Sequence, residues 1–354
     1  LSKSLKVFYL RVFFKSNIFL LICAILISIG ASELLLRLSK IVRDVGPSIT
    51  QYDPVYGKRL KKNFKAKRTT PEFTMHYSIN SLSFRGPEPA KFPYNPILFL
   101  GDSFTEGYGV TDGEEFPELV RQALLKQNNI AASQVVNAGI GNSGNGYWIK
   151  FLKKEGKHFE PKLIVLQFCG NDFKDNIREK LFSLSPTNDL IELPVPPPNI
   201  QELIKKIVEL IPGLSRSYLV GFGYQLFYSF KHSMYFSFSR EKKSLNVIKQ
   251  DKIPENHTGT FEDTLTFRLW EETLSICRQN HWPVLTILVD ISGERLKKIH
   301  RLLQSYHVPS IFVPYKNERP EFYYKIDGHW NARGHAFVAN ATLKYLVKNS
   351  TVQN

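Results

Sequence analysis

The run Ile97-Leu98-Phe99-Leu100 ends on Gly101-Asp102-Ser103-Phe104-Thr105-Glu106-Gly107, so a short apolar strand passes directly into a turn that carries a serine hydroxyl. A serine on a sharp strand-to-helix turn, at the carboxyl edge of a sheet, is well placed to act as a nucleophile. Glycine, aspartate and serine are also ordinary turn residues, and the tripeptide alone is equally consistent with a plain turn. Attack on an acyl carbon needs three more things. A base must take the hydroxyl proton, a carboxylate must orient that base, and hydrogen-bond donors must face the carbonyl oxygen as it becomes negative.

The chain offers candidates for each, in order. After the apolar pair Val135-Val136 comes Asn137-Ala138-Gly139-Ile140-Gly141-Asn142-Ser143-Gly144, a glycine-rich loop with accessible backbone N–H groups. A stronger run, Leu163-Ile164-Val165-Leu166-Gln167-Phe168, is followed by Gly170-Asn171-Asp172, whose asparagine carries a side-chain donor. Near the C-terminus stands Asp327-Gly328-His329-Trp330-Asn331, then Gly334-His335 and a helical tail. Histidine suits proton exchange because its unperturbed pKa is about 6.5.

These four blocks, in this order and each beside a strand or the last helix, resemble the SGNH or GDSL-type hydrolase family over roughly Ile97 to Leu346. Their joint occurrence is far more specific than any one of them. The resemblance implies a three-layer, flavodoxin-like α/β fold with a five-stranded parallel sheet and helices on both faces. It implies an esterase that works through an acyl-enzyme. Carried over, it makes Ser103 the nucleophile, His329 the general base and Asp327 the residue that orients His329. The oxyanion donors would be the Ser103 backbone N–H, a glycine N–H of the second block and the Asn171 side chain, with Gly141 favoured over Gly139. One departure is visible in the last block: many members have two residues between aspartate and histidine, and here only Gly328 intervenes. The glycine block is also one residue shorter than the commonest form.

Other reactive residue types read as structural. His335 is expected to start or line the terminal helix, and Asp102 and Asp172 to cap local turns. Cys169 fits a small buried residue closing a strand. Cys23, Cys169 and Cys277 form no metal-binding spacing, and no HExxH occurs, so neither metal nor cofactor is expected.

With 354 residues and 43% hydrophobic content, the chain has room for one sizeable α/β domain with appendages. The formal charge of +15 is spread along the chain rather than gathered on a nucleic-acid motif, so no nucleic acid partner is expected. The densest basic run, Lys58 to Arg68, could meet anionic headgroups or simply be solvated.

Ser16 to Ser32 is uncharged and largely apolar and, with Leu34-Leu35-Leu36, reaches the roughly 20 residues a spanning helix requires. Lys3, Lys6, Arg11 and Lys15 precede it, which favours an internal N-terminus and an extracytoplasmic remainder, though Arg37, Lys40 and Arg43 blunt the bias. An uncleaved membrane anchor is favoured over a signal peptide cut after Gly30-Ala31-Ser32; cleavage would give a secreted protein.

The expected organisation is an anchor or signal over 1–48, an extension over 49–95, and a hydrolase domain over 96–348, followed by a tail at 349–354. Strands near Ile97 to Leu100, Val135, Leu163 to Phe168, Val284 to Val289 and Ser310 to Val313 alternate with helices, which argues a parallel sheet. A hairpin is conceivable around Phe73 to Ile79. The hydrolase carries an insertion at about 181–259 with Pro194-Val195-Pro196-Pro197-Pro198 and an aromatic stretch from Tyr218 to Phe238. That stretch fits either a cap or interfacial element, or an extra helical pair.

The substrate class this points to is an O-acylated carbohydrate or lipid at the cell envelope. The same apparatus run toward a sugar hydroxyl would make an O-acyltransferase. A non-catalytic envelope-binding protein on the same fold is the third alternative.

Overall fold

A computed structural model describes residues 3–42, 44–89, 91–126, 134–198, 200–211, 213–227 and 260–349; of residues 3–16 only the helical backbone is described. The chain forms two compact units. The larger comprises Ser48–Arg68, Glu72–Ile207 and Lys252–Asn354; the smaller comprises Leu1–Pro47, Thr69–Pro71 and Val208–Asp251.

The larger unit is built on a five-stranded parallel sheet. Its strands are β1 (Ile97–Leu100), β2 (Val135–Asn137), β3 (Leu163–Cys169), β4 (Val284–Val289) and β5 (Ser310–Phe312), in the spatial order β5-β4-β3-β1-β2. Strands β1, β3 and β4 are buried along their whole length, as runs dominated by Val, Leu, Ile and Phe require when helices cover both faces. Alternate side chains then enter two separate cores. Ile97, Phe99, Leu163, Val165, Leu285 and Ile287 pack with the helices Phe116–Lys126 and Ala332–Lys348. Leu98, Leu100, Ile164, Leu166 and Phe168 face the other way, toward Asn145–Phe151 and Phe261–Gln279. The chain steps outward from β1 to β2, then returns to place β3 on the other side of β1. The carboxyl ends of β1 and β3 therefore flank the point where the winding reverses, which is where open α/β sheets bind ligands.

Residues 49–68 and 72–95 belong to this unit. Thr50–Asp53 pairs with Gly57–Leu60 in an antiparallel hairpin, and Phe64–Thr69 pairs with Thr74–Ile79. Ile49, Tyr56, Leu60, Met75, Tyr77 and Phe84 join the same core as the sheet's even-numbered β1 side chains. Full burial of side chains this size is worth about 1.5–3 kcal/mol each. Between Asp172 and the end of the described insertion lie the helix Asp172–Glu179, the hairpin Phe182–Leu184 with Leu190–Glu192, and the helix Ile200–Leu210. The part of the aromatic stretch beyond Phe227 lies outside the described residues.

In the smaller unit, one helix runs unbroken over Lys3–Ser39. Its segment Asn17–Ser39 has a mean hydropathy of 2.5 and none of it is buried against protein. Length and composition suit either a membrane-spanning anchor or a signal sequence.

Candidate active site

Ser103 opens a single helical turn, Ser103–Glu106, directly after β1. The Asp102 carboxylate caps that turn by accepting the Phe104 N–H at 2.9 Å. Gly101 is required by close approach: a Cβ there would lie 2.2 Å from Thr105 Oγ1 and 2.5 Å from Gln167 Oε1. Gln167 on β3 accepts hydrogen bonds from the Asp102 N–H at 3.2 Å and from Thr105 Oγ1 at 2.9 Å, which ties the serine turn to the neighbouring strand.

Although 226 positions away in sequence, His329 meets this turn, its Nε2 lying 2.7 Å from Ser103 Oγ. The other ring nitrogen, Nδ1, contacts Asp327 Oδ1, and the same oxygen accepts the His329 backbone N–H at 3.3 Å. The short spacing works because Gly328 adopts φ +89°, a left-handed conformation that folds Asp327 back onto the ring. Burial would raise the Asp327 pKa, but its hydrogen bond to His329 and the charge there hold it below the usual carboxylate range. The imidazole is wedged between aromatic rings, 4.9 Å from Phe104 and 4.8 Å from Tyr108 between centroids. Ser103, His329 and Asp327 thus form one hydrogen-bonded chain at the carboxyl edge of the sheet.

The candidate oxyanion donors are arranged less simply. Gly141 lies beside the serine, with an added Cβ falling 3.6 Å from Ser103 Cβ. Its N–H, however, donates to Glu106 Oε2 at 2.6 Å. The Gly139 N–H donates to Asn137 Oδ1 at 3.1 Å. Asn171 follows β3 and is exposed; its amide donates to Asp175 Oδ2 at 2.9 Å.

Four residues that the motifs did not single out shape the site, and three of them come from residues 49–95. Glu72 accepts the N–H groups of Ile326, at 2.9 and 3.0 Å, and of Asp327, at 2.7 Å, fixing the loop that carries His329. Arg85 is fully buried and donates to the carbonyls of Glu106 (3.0 Å), Gly107 (2.6 Å) and Val110 (2.8 Å), the turn just after the serine. Tyr77 stacks on that guanidinium at 4.1 Å and donates to Glu106 Oε1 at 3.1 Å. Glu106 itself, 3% exposed, is the fourth. A sequence signal existed only for Glu106, an acidic residue inside the serine block.

The remaining reactive side chains are structural. His335 is fully buried, its Nδ1 accepts the Phe116 N–H at 3.3 Å, and burial pushes its pKa down to about 3, so the ring is neutral. Burial pushes the Cys169 thiol well up. Burial also raises Asp102, to about 6, and Asp172 well above its ordinary value, and the charge of neighbouring carboxylates adds to each rise. Among the described residues, no group of three His, Cys, Asp or Glu side chains could hold a metal ion.

A serine-imidazole-carboxylate chain at the switch point of a flavodoxin-like sheet defines a class, the serine acyl hydrolases of α/β architecture. Residues 99–229 match the profile of the GDSL-like Lipase/Acylhydrolase family, a stretch that contains the Ser103, Gly141 and Asn171 loops. The chain carries a domain of that family and is an ester-hydrolysing enzyme. No curated protein matches the sequence. Among solved structures, the chain is similar to the psychrotrophic esterase EstA from Pseudoalteromonas sp., at 11% identity over 72% of this chain and 97% of that one, with a TM-score of 0.39. It is also similar to a two-domain esterase active on acetylated mannans, at 15% identity over 74% and 50% of the two chains, TM-score 0.37. A GDSL-like lipase from Bacteroides thetaiotaomicron matches at 12% identity over 73% and 87%, TM-score 0.34.

Proposed function

We propose that the protein is a membrane-anchored serine esterase that removes acyl groups from an O-acylated carbohydrate or lipid at the cell envelope. Ser103, His329 and Asp327 are its triad. The observation that carries the reading is the 2.7 Å contact between Ser103 Oγ and His329 Nε2, with Asp327 on the opposite ring nitrogen.

The steps follow from that contact. Ser103 Oγ attacks the ester carbonyl carbon and its proton passes to His329 Nε2. Asp327 Oδ1 holds the Nδ1–H and stabilises the imidazolium as it forms. The carbonyl oxygen, now negative, is met by the Ser103 N–H, the Asn171 amide and the Gly141 N–H, the last on release from Glu106. A preorganised donor lowers the barrier by about 3 kcal/mol, a gain that the Gly141 N–H makes only in part because it must first leave Glu106. The bond to the leaving alcohol breaks as Nε2 returns the proton to its oxygen. A water, deprotonated by the same nitrogen, then attacks the acyl carbon; the bond to Ser103 Oγ breaks as Nε2 returns the proton to it, and the free acid leaves.

Exposure of Asn171 and partial exposure of Ser103 and His329 support water as the acyl acceptor. The uncharged span of the N-terminal helix and the basic residues before it support an anchor with the catalytic unit outside. Assays of the detergent-solubilised full chain on nitrophenyl esters of increasing acyl length, beside acetylated oligosaccharides, test the function. Release of free acid by wild type and not by Ser103→Ala is expected. Turnover that survives Ser103→Ala would remove the reading.

A further inference from the structure

Glu33 is the single acidic residue of the apolar span Asn17–Ser39. At about 1.5 Å per residue it stands about 9 Å short of the helix end. A carboxylate at that depth is costly unless it is paired. It is paired completely. Arg37 Nε donates to it at 2.9 Å, Ser217 Oγ at 2.8 Å, and the N–H groups of Tyr218 and Leu219 at 2.9 Å each. The last two are free donors in the first turn of the helical residues 218–227, so the anchor's carboxylate caps a second helix.

That second helix runs along the end of the first. Arg37 lies over the Tyr218 ring at 5.0 Å. A Cβ at Gly221 would fall 3.0 Å from Val42 and 3.3 Å from Val45, so glycine permits the close approach. The opposite face presents Leu219, Leu226 and Phe227, which are 36%, 55% and 43% exposed. Residues 217–227 contain no charged side chain. A surface helix bathed in water turns charged groups outward; this one turns apolar groups outward beside a helix that is itself apolar all round.

We infer that residues 218–227 form an interfacial membrane helix, docked on the anchor through Glu33, with Leu219, Leu226 and Phe227 in the acyl-headgroup boundary of the outer leaflet. The inference rests on the anchor reading above. The bilayer is the occupant because the exposed apolar face continues the lipid-facing surface of the anchor, and Arg216 and Arg37 supply cations at headgroup level. The anchor is then a folded part of the mature protein rather than a removable leader.

The test uses the full chain in phosphatidylcholine–phosphatidylglycerol vesicles containing brominated lipid. The four native tryptophans are buried in protein, so an added one reports its own surroundings. Ile27→Trp tests the anchor, and Leu226→Trp tests the second helix. Strong quenching of both by lipid bromines is expected, Leu226→Trp most by bromines near the headgroup. Adding Glu33→Ala should abolish most of the Leu226→Trp quenching and leave hydrolysis of a soluble short-chain ester unchanged. If Ile27→Trp is not quenched, the anchor reading itself fails. If Ile27→Trp is quenched while Leu226→Trp is reached by aqueous acrylamide, or shielded from both quenchers by protein, the interfacial helix is overturned and the anchor stands.

Discussion

The carboxylate of Glu106 holds the N–H of Gly141 at 2.6 Å, so a proposed oxyanion donor is already occupied by a negative group. A developing alkoxide beside Ser103 must compete with that charge. Glu106→Gln can keep its one oxygen toward the Gly141 N–H and turn its NH2 toward the Tyr77 oxygen, which then accepts, and it removes the charge. It should raise kcat severalfold at nearly constant KM, measured on a soluble nitrophenyl ester. A fall in kcat would mean that the carboxylate assists rather than competes.

Glu72 positions the histidine loop from outside the hydrolase motifs, through the amides of Ile326 and Asp327. Glu72→Ala leaves those N–H groups without this acceptor and lets the Asp327-His329 pair drift from Ser103. Misplacement of a reacting group by an ångström costs up to about 100-fold. A loss of about tenfold in kcat with KM unchanged is expected, with partial recovery in Glu72→Gln, whose amide oxygen can still accept.

Gly328 permits the one-residue spacing between Asp327 and His329 through its φ of +89°. An added Cβ meets nothing within 4 Å, so substitution tests backbone strain alone. Gly328→Ala should cost about 1–2 kcal/mol, read as a drop in thermal midpoint. A parallel loss of kcat is expected as Asp327 slides away from the ring.

His335 sets an acid limit on stability. Burial lowers its pKa to about 3 in the folded protein from an ordinary value of 6.5, so the unfolded chain binds the extra proton between those values. Stability from this group is complete above pH 6.5 and is lost as pH falls toward 3. His335→Asn retains an acceptor for the Phe116 N–H but cannot be protonated. Urea unfolding near pH 7 and about pH 4.5 should show the wild type losing more stability than the variant over that interval.

The sheet was legible because its central strands are largely apolar runs and its helices carry an apolar stripe, as at Gly293–Ser305, which buries Ile299 and Leu303. The hairpin Thr50–Asp53 with Gly57–Leu60 was not, because TQYD and GKRL are only half buried and carry no alternation strong enough to read. The helix Asp172–Glu179 hid behind its charge, since six of its eight residues are polar or charged around Phe173 and Ile177. At the site, the serine, histidine and aspartate stood out because their blocks keep a fixed chain order. Glu72 and Arg85 did not, because a carboxylate that grips amides 254 residues away leaves no local pattern. The occupant of the Gly141 N–H was likewise invisible, since a glycine-rich loop announces free donors but not the acceptor that the fold brings to them.

Acylation of Ser103 is the step on which all the others depend. Treating the detergent-solubilised full chain with a fluorophosphonate, then locating the adduct by peptide mass spectrometry, tests it without knowledge of the natural substrate. A single adduct on Ser103 is predicted, absent in Ser103→Ala and strongly slowed in His329→Ala. Stoichiometric labelling of a folded Ser103→Ala protein at any other residue would contradict it.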